Sequence, residues 1–162
     1  MLIKVYFFSL ATSSKNFKST IIAEAIFNDV LGAYDFLKKI GFENNRIGLH
    51  GISLGAVPVI FAANKERDIN AIWADSSLAE FSMVLRDEIA RYGLSIEFGP
   101  AVSFFGKLLS GVDPIDLNPA EKLTNDPNYF FTHRDKDQRM LERHSHYFKK
   151  YTEENKIKSE FI

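Results

Sequence analysis

The stretch "GISLG", Gly51 to Gly55, places a serine between two glycines at the spacing G-x-S-x-G. A short apolar run precedes it and an apolar, alanine-rich run follows, so the chain is expected to reverse here from strand to helix. In so tight a reversal the serine backbone is strained, and a Cβ two residues away would collide, which accounts for both Gly51 and Gly55. The turn lifts the Ser53 hydroxyl clear of the sheet. Leu54, the first residue of the expected helix, offers an N–H without a helical acceptor toward an oxyanion formed above the serine. Pro58 falls near the end of the first helical turn, where little hydrogen bonding is lost. A serine hydroxyl attacks poorly near neutral pH unless a histidine takes its proton, and that histidine needs a carboxylate to fix its tautomer and stabilise its charge. Three carboxylates follow expected strands, Asp75, Asp135 and Asp137, and the chain has four histidines. The same glycines would also serve a turn that joins strand to helix without catalysing anything.

Such residues need a scaffold. The 162 residues, 46% of them hydrophobic, suffice for one compact domain spanning 1–162. Twenty Lys and Arg against 21 Asp and Glu, with no long run of either sign, leave no footprint for nucleic acid or an anionic membrane. A small-molecule or peptide substrate fits better. The absence of cysteine excludes disulfides, thiolate zinc sites and a cysteine nucleophile, and no cofactor or metal is expected. No segment has the roughly 18 to 20 unbroken apolar residues of a membrane span. "MLIKVYFFSLATSS" has the outline of a poor signal peptide. Its apolar core is short and Lys4 is its one positive charge, so a buried strand is the preferred reading, with a cytoplasmic location expected and export as the alternative.

Along the chain, Ile3 to Leu10 reads as a strand and "ATSSKNFKS" as a loop. Ile22, Ile26, Val30, Ala33, Leu37 and Ile40 return to one helical face over Thr20 to Ile40, and Gly41 stops the helix. Arg46 to His50 is a short strand, Leu54 to Asn64 a buried helix, and Ile69 to Ala74 a third strand ending in Asp75, Ser76 and Ser77. A helical excursion over 78–117 carries Phe81, Leu85 and Ile89 on one face and then the apolar stretch from Ala101 to Leu109. Tyr129 to Thr132 forms a fourth strand, Met140 to Glu154 an amphipathic helix, and "IKSEFI" opens a fifth strand. Strands alternating with helices at this spacing mean βαβ units, an α/β fold with a parallel sheet. In such a sheet functional groups gather beyond the C-terminal strand ends, where Ser53, Asp75, Asp135 and Asp137 all fall. Neither G-x-G-x-x-G nor G-x-x-x-x-G-K-[ST] opens a helix, which argues against a nucleotide-binding domain.

With these residues in place, the sequence resembles the α/β-hydrolase superfamily, in particular its prolyl-oligopeptidase-like and serine-aminopeptidase-like branches. "NDVLGAYDFLKKIGFENNRIGLHGISLGA" is similar to their helix, strand and nucleophile elbow, and "INAIWADSSLAEF" to the next strand and its small-residue turn. "FFTHRDKDQRMLERHSHYF" looks like the strand, acid loop and helix that usually read H-G-x-x-D-x-x-V-P-x-x-H-S. The resemblance implies a serine hydrolase that cleaves an ester, amide or peptide bond, with Ser53 as nucleophile, Leu54 as oxyanion donor and Asp137 as the triad acid. Asp135 is the alternative acid if the loop is shifted. Asp75 is a weaker one, since a carboxylate there more often caps the helical segment that follows. Arg134 stands where the motif has Gly, and Leu141 where it has Pro. The Gly replacement could disturb the backbone of the acid loop.

Two parts of the pattern are missing. The family's histidine lies on a loop after the last strand, in the chain order Ser, Asp, His, whereas "IKSEFI" leaves that strand unfinished. Each histidine present has a structural reading: His50 packs at the strand end, His133 anchors the acid loop, and His144 and His146 lie on the helix after it. At the other end, Ile3 to Leu10 looks like the family's fourth strand. Its third strand, which would lie between the fourth and the fifth, has no counterpart, nor has the loop with the second oxyanion donor. The expectation is therefore an incomplete α/β-hydrolase fold with unpaired sheet edges. Either Ile3 to Leu10 moves across to pair with Arg46 to His50, or another chain fills the gap in a homo-oligomer or by strand complementation, or the sequence is part of a longer protein. Little or no turnover is expected of this chain alone, and a non-catalytic relic or interaction module is the alternative.

Overall fold

The computed structural model of the chain describes residues 5–6, 20–110 and 117–162. Five strands, β1 (Val5–Tyr6), β2 (Gly48–Ile52), β3 (Ala71–Asp75), β4 (Asn128–Thr132) and β5 (Ser159–Phe161), form one sheet in the order β1-β2-β3-β4-β5, and every pairing is parallel. The remainder of the expected first strand, the loop after it and the start of "DPIDLNPAEKL" lie outside the described residues. Beside β2 the chain supplies a neighbour of its own, the first of the three expected arrangements. Val5 stands opposite Gly48 and Tyr6 opposite Leu49, so β1 pairs directly with the strand that leads to Ser53.

Because each strand pairs with the next in sequence, right-handed crossovers carry the connecting helices to one face of the sheet. Helices α1 (Thr20–Lys39), α2 (Ala56–Lys65) and α5 (Arg143–Glu154) lie there. Val30, Tyr34 and Leu37 of α1, Val59 and Ile60 of α2 and Phe148 of α5 share one core with Leu49, Ile72, Ala74, Tyr129 and Phe131 of the strands. The ring of Phe131 is stacked between Phe148 and Phe161, at 4.6 and 4.9 Å. Alternate strand residues point the other way. There Gly48, His50, Trp73, Phe130 and Glu160 line an open concavity of about 590 Å³.

The helix ends explain where the chain turns. Gly41, at φ +98°, closes α1 with its N–H donating to Lys38 O, while Phe42 N–H donates to Leu37 O; these are the two bonds of a left-handed C-terminal cap. Gly93 closes α3 (Phe81–Arg91) in the same way, and Lys156, a non-glycine at φ +56°, closes α5. The second strand is displaced from the expected Arg46 to His50. Residues Asn44–Arg46 form a 3-10 turn and pairing runs on to Ile52. The excursion after β3 holds α3, a 3-10 turn over Ile96–Phe98 and α4 (Gly99–Ser110). No helix among the described residues is long and apolar enough to cross a membrane.

Candidate active site

Ser53 lies between β2 and α2, in a 3-10 turn over Ser53–Gly55, and its φ is +54°. A β-region strand cannot run straight into a helix, so one residue absorbs the reversal, and here a serine does so in the left-handed region that side chains disfavour. Gly51 permits the turn. A Cβ there would stand 2.4 Å from Gly55 O and 2.5 Å from Ala56 Cα, so only glycine lets β2 and the start of α2 approach this closely. The steric account does not extend to Gly55, whose φ of −70° suits any residue and whose missing Cβ would point into open space. Leu54 is likewise not the first residue of the α-helix but the middle of the 3-10 turn, with its side chain 64% exposed. Its N–H still belongs to the first groups of a helical run, which have no acceptor within it. Pro58 is buried in the first turn of α2, as expected.

Asp137 sits in the loop after β4, two strands from β2, a lateral separation of roughly 10 Å. Its Oδ1 accepts from the N–H groups of Arg139 and Met140, both at 2.8 Å, and its own N–H donates to Arg134 O. Partial burial works to raise its pKa, but these two backbone bonds, with the nearby His133 and Arg134 charges, outweigh it and hold the carboxyl below its usual value. His133 Nε2 donates to Met140 O at 2.8 Å and so anchors the loop that carries Asp137. Arg134 does not take a positive φ, and the loop closes without the glycine that stands there in the motif. Asp135 is exposed. Asp75 stands opposite Ile52 across the β2–β3 ladder and accepts from the Ser76 hydroxyl at 3.2 Å. It caps no helix, contrary to expectation, because α3 begins only at Phe81 behind Glu80.

The histidines occupy other positions. The ring of His50 lies 4.2 Å from that of Trp73 on the open face of the sheet, and burial lowers its pKa against the opposing charge of Asp75. His144 is fully buried; its Nδ1 accepts from Ala79 N–H, which leaves the hydrogen on Nε2, 4.0 Å from Asp87 Oδ2. Burial first, then the positive charges of Arg143 and His133, push its pKa down to about 4. His146 is exposed beside Glu142. Three features carry little or no mark in the sequence: the cluster of His50, Trp73 and Phe130, in which Trp73 lies tilted to His50 and edge to face with Phe130, the Trp73 Nε1 bond to Thr132 Oγ1 at 2.9 Å, and a second left-handed serine, Ser76, at φ +47°. The small-residue turn "DSS" was the only signal for the last.

No protein-family model and no curated protein sequence matches the chain. Solved structures do. An acylaminoacyl peptidase of Pyrococcus horikoshii superposes with a TM-score of 0.61 at 18% identity, over 84% of this chain and 22% of the peptidase. A puromycin-hydrolyzing peptidase of Mycobacterium tuberculosis gives 0.62 at 13% identity, over 85% of this chain and 20% of its own. A sugar hydrolase of Lactococcus lactis gives 0.62 at 13% identity, over 93% and 55%. The chain thus spans about a fifth of the length of the two peptidases and about half that of the sugar hydrolase. Parallel order, one-sided crossovers and the turn at Ser53 agree with these likenesses, and the fold of the chain is a part of the α/β-hydrolase fold.

Proposed function

We propose that the chain carries the nucleophile and acid segments of an α/β-hydrolase serine hydrolase that cleaves an ester, amide or peptide bond. The observation that carries this reading is the left-handed serine at the C-terminal end of β2, a strained position of the kind found at functional sites. Ser53 Oγ would attack the substrate carbonyl carbon as a histidine removes its proton, and the Leu54 N–H would stabilise the oxyanion. The leaving group would depart with that proton, and water would then release the acyl group from Ser53. Asp137 would orient the histidine: an imidazole with a hydrogen bond at each nitrogen spans roughly 7–8 Å, and the reach of the serine and aspartate side chains would close the rest of the roughly 10 Å between the two strands. Asp135 and Asp75 are the alternative acids. The histidine would come from outside these 162 residues, so this chain alone would turn over little or no substrate.

A second reading, a non-catalytic module that keeps the turn for folding, is favoured by the histidines, since His133 and His144 already serve the acid loop and the Ala79 backbone. A fluorophosphonate probe with intact-mass readout separates the two. With free imidazole added in place of the histidine, labelling that is lost in Ser53→Ala supports the hydrolase reading, and a folded chain that imidazole leaves unlabelled supports the module.

A further inference from the structure

Helix α3 is fastened to the rest of the domain more by polar contacts than by a core, since Ile89 is its one buried residue. Its Asp87 carboxylate pairs with the guanidinium of Arg143 at the start of α5. Arg143 also donates to Met83 O at 3.3 Å, and Arg91 donates to Gln138 O, in the loop before α5, at 2.6 Å. Just ahead of the helix, Ala79 N–H donates at 3.2 Å to Nδ1 of His144, a ring with no exposure to solvent. The other edge of that ring turns Nε2–H toward Asp87 Oδ2, 4.0 Å away, and neither of these two atoms has a hydrogen-bond partner among the described residues. One buried histidine of α5 therefore touches both the turn that leads into α3 and a side chain of α3 itself.

We propose that His144, Asp87 and Arg143 form an acid-released latch, which holds α3 on α5 while the imidazole is neutral and lets α3 detach, with the sheet intact, once a proton reaches Nδ1. Neutral His144 accepts at Nδ1, whereas an imidazolium carries hydrogen on both nitrogens. Nδ1–H would then face Ala79 N–H, and two donors would stand against each other in a buried place. The charges that face the ring come from every element around it: Asp87 from α3, Arg143 from α5 and His133 from the end of β4. Burial disfavours the imidazolium most, and Arg143 and His133 add to it. Asp87 would favour the charged ring, but its carboxylate is already paired with Arg143. Glu80, next to Ala79 in the turn after β3, lies near Tyr147. Once detached, the ring regains water and its ordinary affinity for protons, so opening takes up a proton below about pH 6.5. The latched segment leaves β3 beside the strand that ends at Ser53, so acid would loosen what borders that serine.

The test is amide hydrogen exchange on the whole 162-residue chain, corrected for the intrinsic rate at each pH. Amides of α3 should open more often than those of β3 at both pH 7.5 and pH 5.5. They should also open about tenfold more often at pH 5.5 than at pH 7.5, because protonation of the released ring grows about tenfold per pH unit below 6.5. In His144→Asn the side-chain oxygen can still accept from Ala79 N–H but takes no proton, so α3 should open equally at the two pH values. Asp87→Asn should raise α3 opening several-fold at pH 7.5 and leave β3 unchanged. Amides of α3 that open only as often as those of β3 overturn the proposal, as does opening that is the same at both pH values in the unsubstituted chain. So does a tenfold change that persists in His144→Asn, or an Asp87→Asn chain whose α3 opens no more often. The first two outcomes need no variant, so a substitution that fails to fold leaves the test standing.

Discussion

Helices α2 and α4 are nearly equal in apolarity and close in length, ten residues and twelve, yet they meet opposite surroundings. Ala56, Pro58, Val59, Ile60, Ala62 and Ala63 of α2 are buried on the sheet, whereas of the described side chains of α4 only Ser103 is buried. The difference lies in where each helix leaves the sheet. Helix α2 starts one tight turn after β2, and a right-handed crossover returns it over Leu49 and Ile72. Helix α4 starts 24 residues after β3 ends, behind α3 and a 3-10 turn, and its main packing among the described residues is on those two elements. Composition makes a helix apolar; the connection decides whether a core exists to receive it.

Substitutions on the two sides sharpen this contrast. The largest effect is expected for Phe148→Ala, which removes a buried ring stacked on Phe131; urea melts should show a loss of about 3–5 kcal/mol. Gly51→Ala should follow at about 3 kcal/mol or more, because its Cβ meets backbone atoms that cannot step aside, whereas Gly55→Ala should leave the melting temperature unchanged or slightly raised. Acid should act through His144. Its pKa is 6.5 unfolded and about 4 folded, so the unfolded chain binds the proton first, and its share of stability is whole above pH 6.5 and falls away down to about pH 4. Melts at pH 7.5, 5.5 and 4.5 should show a decline of about 3 kcal/mol from this group, flattened in His144→Asn. Ser53→Gly should stabilise by about 1 kcal/mol, since glycine adopts a left-handed backbone without strain; a destabilised variant would mean that the serine is held there by contacts rather than against strain. Smallest of all, Phe104→Ser should shift stability by no more than about 0.5 kcal/mol, because that ring is 63% exposed, in contrast with Phe148.

Much of this architecture was legible beforehand, for reasons specific to each element. The face of α1 repeats at helical spacing and ends in a glycine, and α1 stops where that glycine takes a positive φ. The end of α5 carries no such mark, because Lys156 occupies the left-handed cap and no rule of composition singles out a lysine there. The shift of β2 toward Ile52 has no signal in the sequence, since glycines at positions 48 and 51 hide strand periodicity. At the site, G-x-S-x-G marks the turn, but the spacing alone does not distinguish Gly51, whose Cβ would collide, from Gly55, whose Cβ would meet open space. His133 anchors the loop after β4 as its place in the motif suggests, through the Met140 carbonyl.

The sequence by itself determined the alternation of strands and helices, the position of Ser53 at a strand end and the carboxylates that follow the other strands. These depend on local periodicity and on backbone limits, which adjacent residues set alone. Only the tertiary structure decided that β1 would pair with β2, that Gly51 and not Gly55 is sterically required, that His144 is buried against Ala79 while His146 beside it is exposed, and that α4 shows its phenylalanines to solvent. Each of these depends on which distant backbone lies within a few ångströms, and a local pattern carries no record of that.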